Sequence, residues 1–274
     1  MAQSSVGAVA TESGAHGVTR PAVGLVNCFY RLANPSTLAM QWEAIAINAD
    51  FWSQVLQSQM LKPLDFALGA VMLTRRKYLD EIGGFKSLVD CLADDYQLGN
   101  RIARNGHRIV LCPVVVECWD PPMNWGTVWK HQLRWARTIR VCQPVPYFFS
   151  ILSNAGFWAL LWFIWGAFKT TQLARFDYLN NGFAADFPLQ LGAIGGSICL
   201  LIRILVACDL QRRLTCSPDG GAYFWLVPIK DLLQAAVWLC AFAGNRIEWR
   251  GQVFRLKRDG TLVKLPPKKP ETTD

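Results

Sequence analysis

Charged side chains are scarce in this 274-residue chain: Asp, Glu, Lys and Arg make up 18% of it, against about a quarter in an ordinary soluble domain. That shortage excludes a uniformly soluble protein and predicts that part of the chain lies in lipid. Histidine is rarer still, at three residues, and none of the nine cysteines forms a CxxC pair. So few ligands argue against a Cys/His zinc site. The odd, scattered cysteine count argues against a disulfide framework and for free thiols in reducing surroundings. Gly83-Gly84-Phe85 lacks a G-x-G-x-x-G frame and reads as a turn rather than a phosphate cradle. Residues 1–20 are small and polar with no apolar core, which excludes a signal peptide and predicts a disordered leader.

Apolar residues are plentiful, at 52% with 12 Trp and 15 Phe, and the long charge-free runs come after residue 140. Residues 147–168 are long enough for a spanning helix, and residues 187–207 match them, with Arg203 near enough to the end to snorkel. Residues 222–244 are interrupted by Pro228, Lys230 and Asp231. They read either as an interfacial or re-entrant helix or as a third span whose Lys230 and Asp231 face other helices. The net charge of +8 is local: residues 246–269 hold eight basic and two acidic side chains, and Lys130, Arg134, Arg137 and Arg140 form a second cluster. Basic residues flanking apolar segments follow the positive-inside rule rather than the continuous basic face of a nucleic-acid binder. The expected protein is therefore a multi-pass membrane protein that does not bind nucleic acid. Its first part and its basic tail are expected to be cytoplasmic.

The first part reads as α/β. Residues 23–30 form a buried strand, and Asn34-Pro35 starts a helix reaching to about residue 61. Residues 66–74 form a second strand, followed by a short helix ending at Gly83-Gly84. A helix over residues 94–105 is closed by Gly106, residues 108–119 form a third strand, and Asn124 caps the next helix. The expected organisation is a leader (1–20), an α/β part (21–146), a membrane-embedded region (147–245) and a basic tail (246–274). Three strands are few for such a sheet and leave its N-terminal edge bare, so the chain is expected to begin inside its α/β domain.

Chemistry concentrates in two places. Asp95, with Asp94 beside it, starts a helix whose N-terminus favours an ionised carboxylate, a setting for a general base. A cap would use the same residues. His131 and Arg134 lie three apart on one helix and share a face on which a diphosphate would find positive charge. Trp135 offers a flat ring for a sugar or base. Membrane-border anchoring explains the cations equally well, and an interfacial aromatic belt explains the tryptophan.

Phe66-Ala67-Leu68-Gly69-Ala70, Arg75-Arg76, Gly83-Gly84-Phe85, Leu92-Ala93-Asp94-Asp95-Tyr96, His131-Gln132-Leu133-Arg134-Trp135 and Trp249-Arg250-Gly251 together resemble the inverting glycosyltransferases of the family 2 and 21 type. Within that group the resemblance is to the ceramide glucosyltransferases and the bacterial hopanoid-biosynthesis glycosyltransferases, leaning to the latter, and it covers residues 21–264. It implies the C-terminal part of a GT-A (Rossmann-like) domain followed by two or three membrane helices. It also implies transfer of GlcNAc or glucose from a UDP-sugar to a lipid hydroxyl at the membrane. The family's third acidic motif falls on Asp94 and Asp95, making Asp95 the base. Its (Gln/Arg)-x-x-Arg-Trp motif falls on His131, Arg134 and Trp135, with His131 in place of the usual residue. Gly69 falls on the glycine-bearing strand near the sugars, although close packing in the sheet is an equal reason for a glycine. The family's uridine-gripping motif and its Asp-x-Asp-like motif, which holds Mg or Mn, have no counterpart here, since Asp50 and Asp65 stand in the wrong context. A chain without them is expected to be truncated, and an inactive fragment is the alternative reading.

Overall fold

The computed structural model describes residues 21–176, 186–216, 223–249 and 251–266. The expected leader, residues 1–20, lies outside them, as do Arg250 and residues 267–274 of the tail. The α/β part is built on β1 (Val23–Leu32), the middle strand of three. It pairs antiparallel with β2 (Met72–Thr74) and parallel with β3 (Arg108–Cys118). The parallel register slips between Cys28 and Phe29, where β3 carries Pro113 and Val114 as extra residues. Proline has no N–H for the ladder, so a bulge is where it is tolerated.

The strand expected over residues 66–74 is shorter than the sequence suggests: only Met72–Thr74 pairs. The preceding stretch is held by α4 (Asp94–Arg104) instead. Asn100 Nδ2 donates to the Asp65 carbonyl at 3.0 Å. Gly99 lies so close to that stretch that a Cβ there would sit 2.1 Å from the backbone nitrogen of Ala67. A backbone clamped against a helix is not free to pair in a sheet.

The long helix also begins later than expected. Thr37 rather than Asn34 is its N-cap, accepting from the Met40 N–H at 3.2 Å. Asn34 is committed elsewhere, exchanging two hydrogen bonds with the backbone of Asp120. The helix runs as α1 (Leu38–Ile45), a π-helical stretch (Ala46–Phe51) and α2 (Trp52–Leu61). Within the π stretch Asn48 bonds the backbone N–H and carbonyl of Leu32 at the end of β1. Trp42 and Trp52 are fully buried beneath it, each contributing on the order of 2–3 kcal/mol of hydrophobic stabilisation. The short helix α3 (Arg76–Glu81) follows β2, and α5 (Trp125–Cys142) is capped by Asn124 as the sequence predicts, at 2.9 Å from the Thr127 N–H.

The apolar region starts with α6 (Pro144–Phe149) and a 3-10 turn (Ser150–Ser153), then bends by 54° into α7 (Ala155–Phe176). The first expected span, 147–168, is therefore broken rather than continuous. Asn154 marks the break: its Oδ1 caps the new helix at the Phe157 N–H, and its Nδ2 donates to the Asp231 carbonyl. α8 (Phe187–Thr215) packs on α7 through small residues, with Gly192 so near Gly166 that a Cβ would meet its Cα at 2.8 Å. Close backbone approach of this kind is how helices associate in lipid. α9 (Val227–Phe242) follows a 3-10 turn at Phe224–Leu226. Among the described residues, α8 and the segment Phe224–Phe242 are each long and apolar enough to cross a membrane, and the bent pair makes up to three.

Arg203 does not snorkel. α8 continues twelve residues beyond it, and its buried guanidinium bonds Asp231 at 2.8 Å and Asp50 at 2.9 Å. Lys230 also pairs with Asp50. Of the two readings of residues 222–244, the one with Lys230 and Asp231 turned toward other helices agrees with the structure. The basic tail forms strands β4 (Arg246–Trp249), β5 (Gln252–Leu256) and β6 (Leu262–Lys264), an antiparallel meander. It folds back on the α/β part through a bridge between Cys91 and Thr261 and a bond from Leu262 N–H to Asp90 O at 2.8 Å.

Candidate functional site

Asp94 and Asp95 occupy the first turn of α4. Asp94 is exposed, and its Oδ1 accepts from the Asp95 N–H at 3.0 Å. Asp95 turns inward: its Oδ2 accepts from the Gly69 N–H at 2.7 Å and its Oδ1 from the Tyr96 N–H at 2.7 Å. The contact favours glycine at position 69, since a Cβ there would lie 3.0 Å from Asp95 Oδ2. Burial pushes the Asp95 carboxyl above the usual carboxylate range. The two backbone donors draw it back, and the neighbouring Asp94 adds to the rise. A carboxylate so placed holds a proton more readily than a free one, the property a general base needs.

The start of α4 is pinned to the end of α5. The Tyr96 hydroxyl donates to the Cys142 carbonyl at 3.3 Å and accepts from Gln143 Nε2 at 2.9 Å. The Cys142 thiol is pushed up to about 12, by burial first and then by the charge of Asp95.

On α5, His131 and Gln132 converge on a residue the sequence reading passed over. Glu43 is 1% exposed, and its Oε1 takes His131 Nδ1 at 2.7 Å and Gln132 Nε2 at 2.9 Å. Its Oε2 has no hydrogen-bond partner among the described residues. Burial lowers Arg134 from the ordinary arginine range, and the Glu43 charge partly restores it. Among the described residues its guanidinium makes no hydrogen bond or ion pair, so it is available to a ligand. Trp135 is packed by its neighbours: its ring lies 4.3 Å from His131 and 6.4 Å from Phe51. The signal for Glu43 was present as the one charged residue in the largely apolar helix segment Leu38–Ile45.

The Tyr30 hydroxyl is pushed upward by burial, then by the charges of Asp95, Cys118 and Glu43. Beyond Trp135 and Gln132 a cavity of about 530 Å³ opens between α5, the π stretch and the apolar helices, and it reaches Asp50, Arg203 and Asn154. Among the described residues no group of three or more His, Cys, Asp or Glu is placed to hold a metal ion.

Comparison with known proteins agrees with this architecture. A family model described as Glycosyl transferase family 21 matches residues 12–262. Over 43 residues, 16% of this chain, the sequence is 37% identical to the ceramide glucosyltransferase of Candida albicans. That stretch is 8% of the length of the fungal protein.

Proposed function

The chain belongs to glycosyl transferase family 21, and we propose that it moves glucose or N-acetylglucosamine from a UDP-sugar to a lipid hydroxyl with inversion at the anomeric carbon. The observation that carries the proposal is the Asp95 carboxylate, inward-facing and fixed by the Gly69 and Tyr96 N–H groups. Asp95 takes the proton of the acceptor hydroxyl as its oxygen attacks the sugar, and the bond to the diphosphate breaks on the opposite side. Arg134 supplies positive charge to the departing diphosphate. His131, with Nδ1 held by Glu43, presents its other ring nitrogen. Trp135 shapes the wall between this site and the cavity beyond it.

The acceptor is a ceramide-like or hopanoid lipid, whose tail stays among the apolar helices while its hydroxyl rises to Asp95. The catalytic part and the basic tail face the cytoplasm. The test is transfer from radiolabelled UDP-glucose and UDP-N-acetylglucosamine to ceramide and to a hydroxylated hopanoid, in membranes carrying the protein. A glycolipid with inverted anomeric configuration is expected. Failure of every donor and acceptor pair, with the protein present and folded, contradicts the proposal.

A further inference from the structure

The two basic clusters that lie far apart in the sequence meet around one cavity of about 900 Å³. Arg137 and Arg140 reach it from α5, Arg246 from β4, Arg255 from β5 and Arg258 from the turn after β5, with Asn245 beside them. Among the described residues no acidic side chain lines it. The nearby acids are engaged elsewhere: Glu248 pairs with Lys130 at 2.8 Å, and Asp259 accepts from Thr261.

Five guanidinium groups around one space repel one another unless an anion lies between them. The contacts present do not neutralise them, because Arg137 donates to the Arg246 carbonyl and Arg140 to Asn245 Oδ1, both uncharged acceptors. The Nε groups of Arg137 and Arg140 are buried and have no hydrogen-bond partner among the described residues. Arg137 is drawn below the ordinary arginine range, by burial first and then by Arg140 beside it. Buried donors without acceptors are rare in folded proteins, so this cluster of cations is left under-compensated by the protein itself.

We propose that this cavity binds a phosphate-bearing anion through Arg137, Arg140, Arg246, Arg255 and Arg258. The guanidinium fork matches paired phosphate oxygens, and its weak hydration suits a site with an apolar wall. That wall includes Phe242, whose ring lies 5.6 Å from the Arg140 guanidinium carbon. Two sources present this chemistry here. The cavity touches Pro144 and Phe242, the ends of two membrane-capable segments, where the headgroup of an anionic phospholipid would lie. It also adjoins the end of α5, where the hydroxyl of Tyr96, the neighbour of Asp95, donates to the Cys142 carbonyl at 3.3 Å, and where a nucleotide diphosphate would lie.

Binding here is read without turnover. The full chain in detergent is titrated with dioctanoyl-phosphatidylglycerol, with dioctanoylglycerol as the phosphate-free control, and separately with UDP and inorganic pyrophosphate. The test variant joins Arg246→Gln, Arg255→Gln and Arg258→Gln, all exposed positions whose loss spares the core. A control joins Arg76→Gln, Lys77→Gln and Lys86→Gln, exposed cations elsewhere. The wild type should bind a phosphate probe, and the test variant should lose on the order of 100-fold in affinity, while the control keeps it. Loss confined to phosphatidylglycerol identifies a lipid headgroup, and loss confined to UDP and pyrophosphate identifies a nucleotide. Absence of phosphate binding in the wild type, or equal losses in the two triple variants, overturns the proposal.

Discussion

Arg203, in the middle of the 29-residue helix α8, grips Asp231 of α9 through two nitrogens, its Nε at 2.8 Å and a terminal nitrogen at 2.9 Å. The same guanidinium holds both oxygens of Asp50 in the π-helical stretch of the α/β part. A single side chain thus ties two apolar helices to the domain that carries the candidate base. The π geometry matters to this, because an added residue per turn re-aims the side chains that follow it.

Breaking that tie from one side should be severe. Asp231→Asn or Arg203→Met leaves a buried charge without its full complement, a loss of about 3–5 kcal/mol. The double variant should recover a good part of it, since removing both partners removes the uncompensated charge. Thermal unfolding of the four proteins in one detergent checks this. Strictly additive losses would show that the pair is not coupled.

Gly69→Ala should separate activity from stability. Its Cβ would stand 3.0 Å from Asp95 Oδ2, so the carboxylate must shift by a few tenths of an ångström. A tenfold or larger fall in kcat is expected, because misplacing a reacting group by about 1 Å can lower the rate on the order of 100-fold. Unfolding should move little. Gly99→Ala should do the opposite: its Cβ would strike the Ala67 backbone, so the protein should lose stability or fail to accumulate.

Much of this was legible in the sequence, and the gaps have physical causes. β1, α4, β3 and the Asn124 cap follow from local patterns of apolar residues, caps and glycines. Asp95 and Arg134 stood out because their motifs are contiguous. The shortened second strand was hidden because the clamp on residues 66–71 comes from Gly99, some thirty positions away. Arg203 read as a snorkelling side chain because its partners, Asp50 and Asp231, are distant in the chain. The tail meander escaped notice because its charges masked short strands that dock on Asp90 and Cys91.

Glu43→Gln tests whether the buried acid positions His131. The amide keeps the shape and the contact to Gln132 but removes the charge opposite Nδ1. Turnover should fall by roughly tenfold to 100-fold, the range seen when an outer partner of a working histidine is lost. Turnover at the wild-type rate would show that Glu43 does not position His131 for the reaction.

The pH dependence of Asp95 follows from its environment. Its carboxyl lies above the usual range, so the native state holds a proton where the unfolded chain has lost it. Stability contributed by this group therefore falls as pH rises through that window. Activity that depends on the ionised base rises over the same window. The acidic limb of kcat/KM should accordingly lie above the ordinary carboxylate value of about 4. A limb at or below that value would contradict the burial argument.

Asp95→Asn is the most direct test of the central claim that this carboxylate is the base for sugar transfer to a lipid. The amide oxygen can accept from only one of the two N–H groups, Gly69 or Tyr96, and cannot take a proton. Assayed with the donors and acceptors proposed above, the variant should lose transfer by at least about 100-fold. UDP affinity should be unchanged, and the thermal midpoint at neutral pH should be no lower than wild type. Transfer at near wild-type rate by the Asn variant would contradict the claim.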